Sequence, residues 1–430
     1  MAEQRIYGLL GEDLSYSYSP RIHAMLGGYE YKLMEMSRED AAEFVKHGEW
    51  DGLNISKAIQ KEIMPLCDAF TDAVRKVGSV NALVKREDGT IVGHNTDYFG
   101  FSYLLNSYGI DVMGRKVVVL GSGGVAKAVH AVLQDRGAYE VVVVGDEGDV
   151  PMERVSEHYD AEYVVNATSV GVYPNCPDSP VDLEPFARTG ELREGYADGL
   201  FALIDTTYNP AHSGIALQAE KLGIPVAGGL PMFVAQAKAS VELFTGKDVS
   251  ASQMEAVQRR IAFETANIVL IGMPSGGKST IGALVAQKLE REFIDIDDYI
   301  PPAAGKSIPE IFAEDGEEAF RLIETKVTGD ICKEGGRVVA CGGGVVTQPR
   351  NYDLLHQNGV IVMLRRPLEQ LISDGRPMSI SKGVPRLARE RAPRYVSWAD
   401  VIVDNTLSPD RVADRVIDTV LACFDLDTLA

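Results

Sequence analysis

The stretch NIVLIGMPSGGKST, residues 267–280, decides the fold of the C-terminal half of the chain. An apolar run leads into a loop of the form G-x-x-x-x-G-K-[ST], and a helical pattern continues to Leu289. Glycines in such a loop let backbone N–H groups converge on phosphate oxygens at the start of a helix. The stretch therefore predicts a strand at 267–271, a helix at 278–289 and a nucleoside triphosphate site.

The nucleotide-binding residues expected in this loop are Gly272, Gly276, Gly277, Lys278, Ser279 and Thr280. Position 275 is counted with the loop glycines and is represented by Gly276. Lys278 is expected on the β/γ-phosphates and the Ser279 hydroxyl on Mg²⁺.

A second stretch of the same kind, KVVVLGSGG at residues 116–124, lies in the N-terminal half. It predicts a strand over Lys116–Leu120, a glycine turn and a helix at 125–134. We expect Gly121, Ser122, Gly123 and Gly124 to bind the phosphates of a nucleotide cofactor. The two halves share this architecture without a fixed-period repeat.

Length and charge limit the class of protein. A chain of 430 residues predicts two or three domains, each able to bury its own core. The net charge of −20 and the absence of a basic block argue against a nucleic-acid partner. Five widely spaced cysteines without a C-x-x-C pair argue against disulfides and zinc sites. No apolar run is long enough for a membrane span and the N-terminus does not resemble a signal peptide, so we expect a cytoplasmic protein.

An ordered set of motifs follows the loop at 272–279. They are Asp295 and Asp297 in FIDID, Arg321 and Glu324 in GEEAFRLIE, Gly342–Gly344, Arg376 in GRPM and Arg391 in RAPRY. Together with the phosphate loop they resemble shikimate kinase, from about residue 267 to the C-terminus. Asp295 and Asp297, two residues apart, are expected on one side of a strand.

The resemblance implies a role for each of these residues, with ATP as phosphoryl donor. Asp295 would hold the Mg²⁺ shell with Ser279, and Asp297 would orient the substrate hydroxyl or take its proton. Arg321 and Arg391 would bind the substrate carboxylate, and Glu324 would bond a hydroxyl or hold Arg321. The backbone of Gly342, Gly343 and Gly344 would approach the substrate, and Arg376 would act from a mobile lid. The alternative for Arg321 and Glu324 is a surface ion pair.

The N-terminal half carries a second ordered set: S-x-S-P at Ser17–Pro20, SVNA at 79–82, NTD at 95–97, NATS at 166–169 and GLPMFVAQA at 229–237. This set is similar to shikimate dehydrogenase over about residues 5–247. The resemblance implies that a hydroxylated acid is surrounded by Ser17, Ser19, Asn81, Asp97, Tyr208 and Gln236. It makes Asp97 half of a proton-transfer pair, and Asn166 is expected at the cofactor.

One departure concerns the other half of that pair. The family pattern is N-V-T-x-P-x-K, in which the final lysine is catalytic, and here Gln60 stands at its position. An amide has no proton to give at neutral pH. Lys61 is one residue on, a rotation of about 100° on a helix, and Lys57 is one turn back. Which residue replaces the lysine is left open.

The second departure concerns the cofactor. The family commonly has N-R-T after the strand that follows the glycine turn, and this chain has Gly145-Asp146-Glu147-Gly148-Asp149. Acids there repel a 2′-phosphate, and Asp146 lies at the spacing of a residue that binds a ribose hydroxyl. We expect NAD(H) or NADP(H) as cofactor, with the charge favouring NAD(H) or a weakened dinucleotide site. The alternative is a solvated acidic turn.

These observations predict an α/β chain of three domains. A substrate-binding domain covers 1–97 and is joined by a helix near 230–247, where the chain returns to it. A Rossmann domain covers 98–229. A linker helix lies within 248–266, where a capping box at Ser252 opens a helix from Glu255 to about Glu264. A P-loop kinase domain with a parallel sheet covers 267–430. As an alternative to a linker, that helix is a peripheral helix of one of the two flanking domains.

The expected function is reduction of 3-dehydroshikimate followed by phosphorylation of shikimate, with small-molecule substrates and an open oligomeric state. Three alternatives remain. The dehydrogenase-like half is an inactive binding scaffold, or it acts on a related acid such as quinate. The least favoured alternative is a general P-loop NTPase.

Overall fold

The computed structural model describes residues 5–188, 199–371 and 384–426. Their contacts divide the chain into two units. The first unit comprises 1–169, 180–208 and 218–258, and the second comprises 170–179, 209–217 and 259–430. The three-domain division expected from the sequence is finer than this one and stays a prediction.

The first sheet of the first unit is mixed. Its strands are β1 Tyr7–Gly11, β2 Tyr31–Glu35, β3 Gly52–Ile55, β4 Ala69–Phe70, β5 Ala82–Lys85 and β6 Ile91–His94, in the order β2-β1-β3-β5-β6-β4. Its helices are α1 Ser19–Gly27, α2 Arg38–His47, α3 Gln60–Ile63, α4 Asp72–Val77 and α5 Asp97–Ser107. Only β5 runs against its neighbours, so β1, β3 and β6 end at the same edge.

The second sheet of the first unit is parallel throughout. Its strands are β7 Lys116–Leu120, β8 Glu140–Val144, β9 Tyr163–Asn166, β10 Ala202–Asp205 and β11 Val226–Ala227, in the order β11-β10-β9-β7-β8. The helices of this part are α6 Gly124–Asp135, α7 Glu184–Arg188, α9 Leu230–Thr245 and the end of α8 Gly214–Lys221, whose residues up to Leu217 belong to the second unit. The predicted strand at Lys116–Leu120 is confirmed, and the predicted helix begins one residue earlier than expected.

Helix α9 packs on α1 and α5, as the expected return of a helix near 230–247 requires. The approach to α5 is close because Gly100 has no side chain. A Cβ at Gly100 would lie 2.7 Å from Cγ of Gln236 and 2.8 Å from the carbonyl oxygen of Met232. This contact fixes the distance between the two helices that carry Asp97 and Gln236.

The second unit is built on a third, parallel sheet. Its first element, α10, begins in the first unit and ends in the second. In chain order the elements are α10 Ala251–Thr265, β12 Asn267–Ile271, α11 Lys278–Leu289, β13 Phe293–Asp295, α12 Ile296–Ala304, α13 Ile308–Glu314, α14 Gly316–Cys332, β14 Val338–Ala340, α15 Arg350–His356, β15 Gly359–Arg365, α16 Val384–Trp398, β16 Val401–Asp404 and α17 Pro409–Ala422. The strand order is β13-β14-β12-β15-β16. Both predicted elements of the opening stretch, β12 and α11, have the expected bounds.

The central strand β12 is buried on both faces. Val269 and Ile271 face one core, while Ile268 and Leu270 face the other, as the two-residue period of a strand dictates. Buried parallel strands of this kind leave only their ends for polar chemistry. No helix among the described residues has the length and apolar character that a membrane span needs.

The capping box of α10 was predicted at the wrong serine. The helix begins at Ala251, and Ser250 is the residue that caps it. The amide of Gln253 donates to Ser250 Oγ at 3.2 Å, and the amide of Ser250 donates to Gln253 Oε1 at 3.0 Å. A glutamine closes the box as well as a glutamate does, so the same pattern was available two residues earlier.

We predict that Ser250→Ala frays the first turn of α10, since an N-cap serine contributes about 1 kcal/mol. Amide hydrogen exchange at Gln253 should become about fivefold faster. Ser250→Thr, which keeps the capping hydroxyl, is the matched control and should leave that rate nearly unchanged. Equal effects of the two substitutions would contradict the cap described here.

Candidate active sites

Three strand ends of the first sheet meet at one edge. The amide of Ile55, at the end of β3, donates to the carbonyl of Asn81 at 2.9 Å, and the amide of Asn81 donates to the carbonyl of His94 at 3.1 Å. Lys57 follows β3 by two residues, and Asp97 opens α5 after β6. The topology therefore brings Lys57, Asn81 and Asp97 together from distant parts of the sequence.

A cavity of about 270 Å³ opens at this edge, and we call it the central cavity. All six side chains expected to surround a small acid line it: Ser17, Ser19, Asn81, Asp97, Tyr208 and Gln236. Apolar and aromatic side chains line it too, with Met232 and Phe233 from α9 and Tyr16 after β1, among further polar groups. Such a mixture of apolar walls and convergent polar groups is typical of small-molecule sites.

Asp97 is the buried charge of the central cavity, with only 4% of its surface exposed. Its Oδ1 accepts a hydrogen bond from Gln236 Nε2 at 2.8 Å. Burial raises the pKa of Asp97 to about 6, against the lowering effects of a hydrogen bond from Asn81 and the charge of Lys57. A carboxyl group that titrates near 6 is suited to proton transfer close to neutral pH.

The hydroxyl groups of the central cavity stay neutral. Tyr208 stacks on Phe233 with ring centroids 3.8 Å apart, and burial raises the pKa of Tyr208. Ser17 Oγ donates to Ser19 Oγ at 3.1 Å. His23 stacks on Tyr31, and burial lowers the pKa of His23 to about 3, which agrees with a structural role. Neutral hydroxyls and amides of this kind can form hydrogen bonds with the hydroxyl groups of a ligand.

The sequence leaves Lys57 and Lys61 as candidates to replace the family's catalytic lysine, and the structure places them differently. A 3₁₀ turn, Lys57–Ile59, joins β3 to α3, so Lys57 and Gln60 lie one turn apart and both line the central cavity. Lys61 does not line the central cavity and pairs with Glu147 at 2.9 Å. Desolvation lowers the pKa of Lys57, while the charge of Asp97 opposes that shift. The structure therefore brings Lys57, and not Lys61, to the central cavity.

A second cavity of about 340 Å³ lies over the glycine turn, and we call it the glycine-turn cavity. Ser122, Gly123 and Gly124 line it at the start of α6. Gly121 has φ of +101°, and a Cβ there would lie 2.8 Å from the carbonyl oxygen of Ala167. The cradle fits the phosphates of a dinucleotide, since backbone amides at a helix N-terminus attract anions.

The acidic turn after β8 divides into three different environments. Asp149 is turned back onto β8, where its carboxylate accepts from the amide of Val143 at 3.0 Å. Glu147 is compensated by Lys61. Asp146 is exposed and lines the glycine-turn cavity, which Arg38 and Lys127 also line. Of the three acids only Asp146 lines the glycine-turn cavity without a described ion pair.

Asn166 lines neither the central cavity nor the glycine-turn cavity. It is fully buried, its side-chain amide donates to Asp205 Oδ1 at 3.0 Å, and its side-chain oxygen accepts from the amide of Thr168 at 3.1 Å. These bonds tie the ends of β9 and β10 together, and its expected place at the cofactor stays a prediction. A polar residue that ends a parallel strand can serve either purpose, and the sequence does not distinguish them.

The second unit gathers its polar groups at the ends of β12, β13 and β14, which are neighbours in the sheet. Lys278 Nζ donates to the carbonyls of Gly272 and Met273, each at 3.0 Å, and so closes the phosphate loop. Ser279 Oγ donates to Asp295 Oδ2 at 2.5 Å. A hydroxyl and a carboxylate oxygen side by side at a phosphate loop are a donor set that fits Mg²⁺.

The phosphate loop also requires a correction at position 275. That position was counted with the loop glycines, and it is Ser275 and not a glycine. Ser275 nevertheless has φ of +60°, the left-handed conformation that glycine adopts most readily. The amide of Gly276 donates to the carbonyl of Met273 at 3.0 Å, which tightens the turn there. The loop therefore has a glycine-like backbone at position 275 although the residue carries a side chain.

The sequence predicts Asp295 and Asp297 on one strand, and this prediction is wrong. Strand β13 ends at Asp295, whose Oδ1 accepts from the amide of Asp297 at 3.1 Å and caps α12. Asp297 lies in the first turn of that helix. The i, i+2 spacing was interpreted as strand geometry, although an aspartate before a helix is also an N-cap.

The three glycines after β14 each make room for a different group. A Cβ at Gly342 would lie 2.8 Å from both Asp297 Oδ1 and Glu324 Oε1, and one at Gly343 would lie 2.6 Å from Pro274 of the phosphate loop. At Gly344 a Cβ would overlap with the guanidinium of Arg321. We call the segment Gly342–Gly344 the glycine floor. The two carboxylates, the phosphate loop and the guanidinium all contact it.

Arg321 and Glu324 form a buried pair and not the surface ion pair that was the alternative. Their side chains are 6% and 1% exposed, and Arg321 Nη1 donates to Glu324 Oε2 at 2.7 Å. Arg391, also buried, donates to the carbonyl of Gly343 at 2.7 Å. Burial raises the pKa of Glu324, and the nearby charges of Arg321 and Arg391 oppose that shift. Arg321 and Arg391 therefore converge on the glycine floor.

Arg376 lies outside the described residues. Two further contributors had no assigned role: the Tyr395 hydroxyl donates to the carbonyl of Gly343, and Asn405 Nδ2 donates to the carbonyl of Gly276 at 2.7 Å. Tyr395 stood inside the RAPRY motif, which was a usable signal. Asn405 follows β16, far from the phosphate loop in sequence, and only the strand order reveals it.

Comparisons with known proteins agree with these two sites. A family model described as shikimate dehydrogenase substrate binding domain matches residues 9–83, and one described as shikimate 5'-dehydrogenase C-terminal domain matches 229–257. A family model described as shikimate kinase matches residues 274–421.

Individual proteins give the same division. A "Shikimate dehydrogenase (NADP(+))" of Clostridium beijerinckii is 32% identical over 55% of this chain and 91% of its own length. A "Shikimate kinase" of the same species is 38% identical over 37% of this chain and 98% of its own length. A crystal structure of shikimate dehydrogenase 1 from Peptoclostridium difficile superposes with a TM-score of 0.54 and 29% identity, covering 60% of this chain and 98% of that one.

We predict that Arg321→Met destabilises the second unit by about 3–5 kcal/mol at neutral pH, because it strands the buried carboxylate of Glu324. The loss should shrink at lower pH, where the orphaned carboxylate takes up a proton. Adding Glu324→Gln should recover part of the stability. Urea unfolding in a Trp50→Phe background would follow this unit, since Trp398 is then the only tryptophan. A double variant no more stable than Arg321→Met would contradict the pairing.

Proposed function

Since the chain belongs to the shikimate dehydrogenase family in its N-terminal part and to the shikimate kinase family in its C-terminal part, we propose that it catalyses two consecutive reactions of the shikimate pathway. The first is reduction of 3-dehydroshikimate to shikimate with a nicotinamide dinucleotide. The second is phosphorylation of shikimate by ATP. The observation that carries the proposal is that both sites offer the same ligand chemistry: each gathers groups for the hydroxyls and carboxylate of a small acid around a buried aspartate or glutamate.

In the dehydrogenase site we assign recognition of the acid to the six side chains of the central cavity. Ser17, Ser19 and Tyr208 bind oxygen atoms of the ligand through neutral hydroxyls. Asp97, held by Gln236, accepts a hydrogen bond from a ligand hydroxyl next to the carbon that changes oxidation state. The nicotinamide supplies hydride chemistry when it is bound, and the glycine turn at 121–124 holds its phosphates.

In the kinase site we assign the ligand carboxylate to Arg321 and Arg391. Arg321 Nε is buried and has no partner among the described residues, so a donor remains for a ligand oxygen. Glu324 Oε1 is likewise buried without a described partner, and it lies beside Asp297 near Gly342. A ligand with two neighbouring hydroxyls could donate one to Glu324 Oε1 and the other, aimed at the phosphate loop, to Asp297.

Phosphoryl transfer then needs few groups from the protein. Asp297 orients the attacking hydroxyl and takes its proton as the new O–P bond forms and the γ-phosphate leaves ADP. Lys278 stabilises the phosphate charge, and Ser279 and Asp295 would hold Mg²⁺, which neutralises the phosphate oxygens. We keep for Arg376 the expected role at the transferred phosphate, and that role stays a prediction.

Two substitutions should separate the activities. Asp97→Asn should lower shikimate-dependent dinucleotide reduction by about 10²-fold or more while ATP-dependent phosphorylation of shikimate continues. Lys278→Met should do the reverse, with a loss of about 10²-fold or more in the kinase assay. Each activity is thus the folding control for the other. A preparation whose Asp97→Asn form keeps full dehydrogenase activity would contradict the assignment of the central cavity.

We predict that the unaltered chain binds NAD⁺ about tenfold more tightly than NADP⁺, since Asp146 repels a 2′-phosphate and accepts from a ribose hydroxyl. Asp146→Asn should narrow that difference. Asp149→Asn is the matched control, because its carboxylate faces β8. Isothermal titration calorimetry with each variant would measure the affinities. Tighter binding of NADP⁺ by the unaltered chain would mean that Arg38, Lys61 and Lys127 dominate the charge of the glycine-turn cavity.

A further inference from the structure

The dehydrogenase proposed above needs a group that exchanges a proton with the reacting oxygen, and position 60 holds a glutamine. We propose that Lys57 is this proton-transfer residue, acting from one helical turn before Gln60 and opposite Asp97. The inference rests on the proposed dehydrogenase function. It assigns the catalytic amine to a position that the motif pattern does not mark.

The first support is the position of Lys57 at the boundary of the two cavities. Among the described residues only Lys57 and Gln60 line both the central cavity and the glycine-turn cavity. Hydride must pass between a ligand in one cavity and a nicotinamide entering from the other. A side chain that borders both is therefore beside the reacting carbon and its oxygen.

The second support is the direction of the side chain. A Cβ added to Gly123 would lie 3.2 Å from Cε and 3.9 Å from Nζ of Lys57, so the ammonium end reaches the glycine turn. Lys57 and Asp97 make no direct ion pair in the part of the chain that the structure describes, although each charge shifts the titration of the other. Both side chains line the central cavity, where a ligand hydroxyl could contact each of them.

The third support is chemical. Of the two residues that border both cavities, only Lys57 can hold and release a proton. Lys61, the other candidate, is turned to Glu147 on the surface. Replacement of the expected lysine by Gln60 leaves the amine one turn earlier on the same side, since residues three apart lie on one face of a helix.

The step balances without a further reactant. In the direction of reduction, the carbonyl carbon receives hydride from the reduced nicotinamide and the carbonyl oxygen receives a proton from the Lys57 ammonium. The C=O π bond, the C–H bond of the reduced nicotinamide and one N–H bond of the ammonium break, one C–H and one O–H bond form, and the neutral amine regains H⁺ from the buffered solvent. In the reverse direction the neutral amine of Lys57 accepts the hydroxyl proton, while Asp97 stabilises the ammonium.

A rival role follows from the same contact with Gly123. A lysine at the N-terminus of α6 could instead neutralise a phosphate of the dinucleotide. The opposite charge that acts on Lys57 is Asp97, inside the central cavity, which favours the proton-transfer role. The two roles differ in what removal of the amine does to dinucleotide binding.

The test replaces the amine and measures catalysis and binding separately. Lys57→Met should lower kcat for shikimate oxidation by about 10²-fold or more, as loss of a general base does. Its Kd for the oxidised dinucleotide, measured by fluorescence titration, should stay within about twofold. Lys46→Met, on the exposed surface of α2, is the matched control and should keep full activity. ATP-dependent phosphorylation in each preparation verifies folding.

The pH dependence gives a second readout. In the unaltered chain kcat/KM for shikimate oxidation should rise with pH along a limb that ends below 10.5, the ordinary pKa of lysine, because desolvation lowers the pKa of Lys57. The limb should vanish in Lys57→Met and persist in Lys61→Met. The other titratable groups around Lys57 are Asp13, Tyr16, His23, Asp97 and Tyr208 in the central cavity, and Arg38, Lys61, Glu62, Lys127, Asp146 and Glu147 in the glycine-turn cavity.

If the catalytic amine has moved from position 60 to position 57, returning a lysine to position 60 should restore activity. Adding Gln60→Lys to Lys57→Met should restore at least about tenfold of the lost rate, with a new alkaline limb. A kcat of Lys57→Met within about threefold of the unaltered chain would overturn the proposal. Weaker dinucleotide binding that accounts for the whole loss would assign Lys57 to the phosphates. Absence of dehydrogenase activity in the unaltered chain, beside an active kinase, would overturn the proposed function itself and this inference with it.

Discussion

Complete burial of the central parallel strands constrains everything else in this chain. Strand β12 is buried along its whole length, and Val117–Leu120 of β7 are fully buried too. Polar side chains cannot be placed along such strands without losing hydrogen bonds to water, so they gather where the strands end. The phosphate loop, the glycine turn, Asp295 and the glycine floor at 342–344 all lie at a strand end or directly after one.

Glycines and buried ions then complete the sites. At the floor, the missing side chains admit Arg321, Glu324 and Asp297, and Arg321 pairs with Glu324 where both side chains are buried. In the first unit Gly100 lets α5 and α9 approach, so that Gln236 holds Asp97. Both arrangements place a buried carboxylate next to space for a ligand, which raises the pKa of Asp97 and of Glu324.

The strands and helices around the two glycine loops could be predicted because a β-branched run, a loop and a helical pattern occur in unbroken order. The six side chains of the central cavity could be predicted from ordered motifs. Three placements could not. Asp297 was given strand geometry because a capping aspartate and a strand aspartate have the same spacing, and Asn166 satisfies its own strand ends. The direction of Lys57 depends on a 3₁₀ turn after β3, which no periodicity over three residues can reveal.

The central claim is that one chain carries both reactions, and one experiment tests it most directly. The purified chain would be given 3-dehydroshikimate, NADH or NADPH, ATP and Mg²⁺, and the products followed by phosphorus NMR together with dinucleotide absorbance. The account predicts oxidation of the dinucleotide and the appearance of shikimate 3-phosphate in equal amounts. A phosphate ester that forms only when shikimate itself is supplied would contradict it, leaving a kinase joined to a domain that no longer reduces.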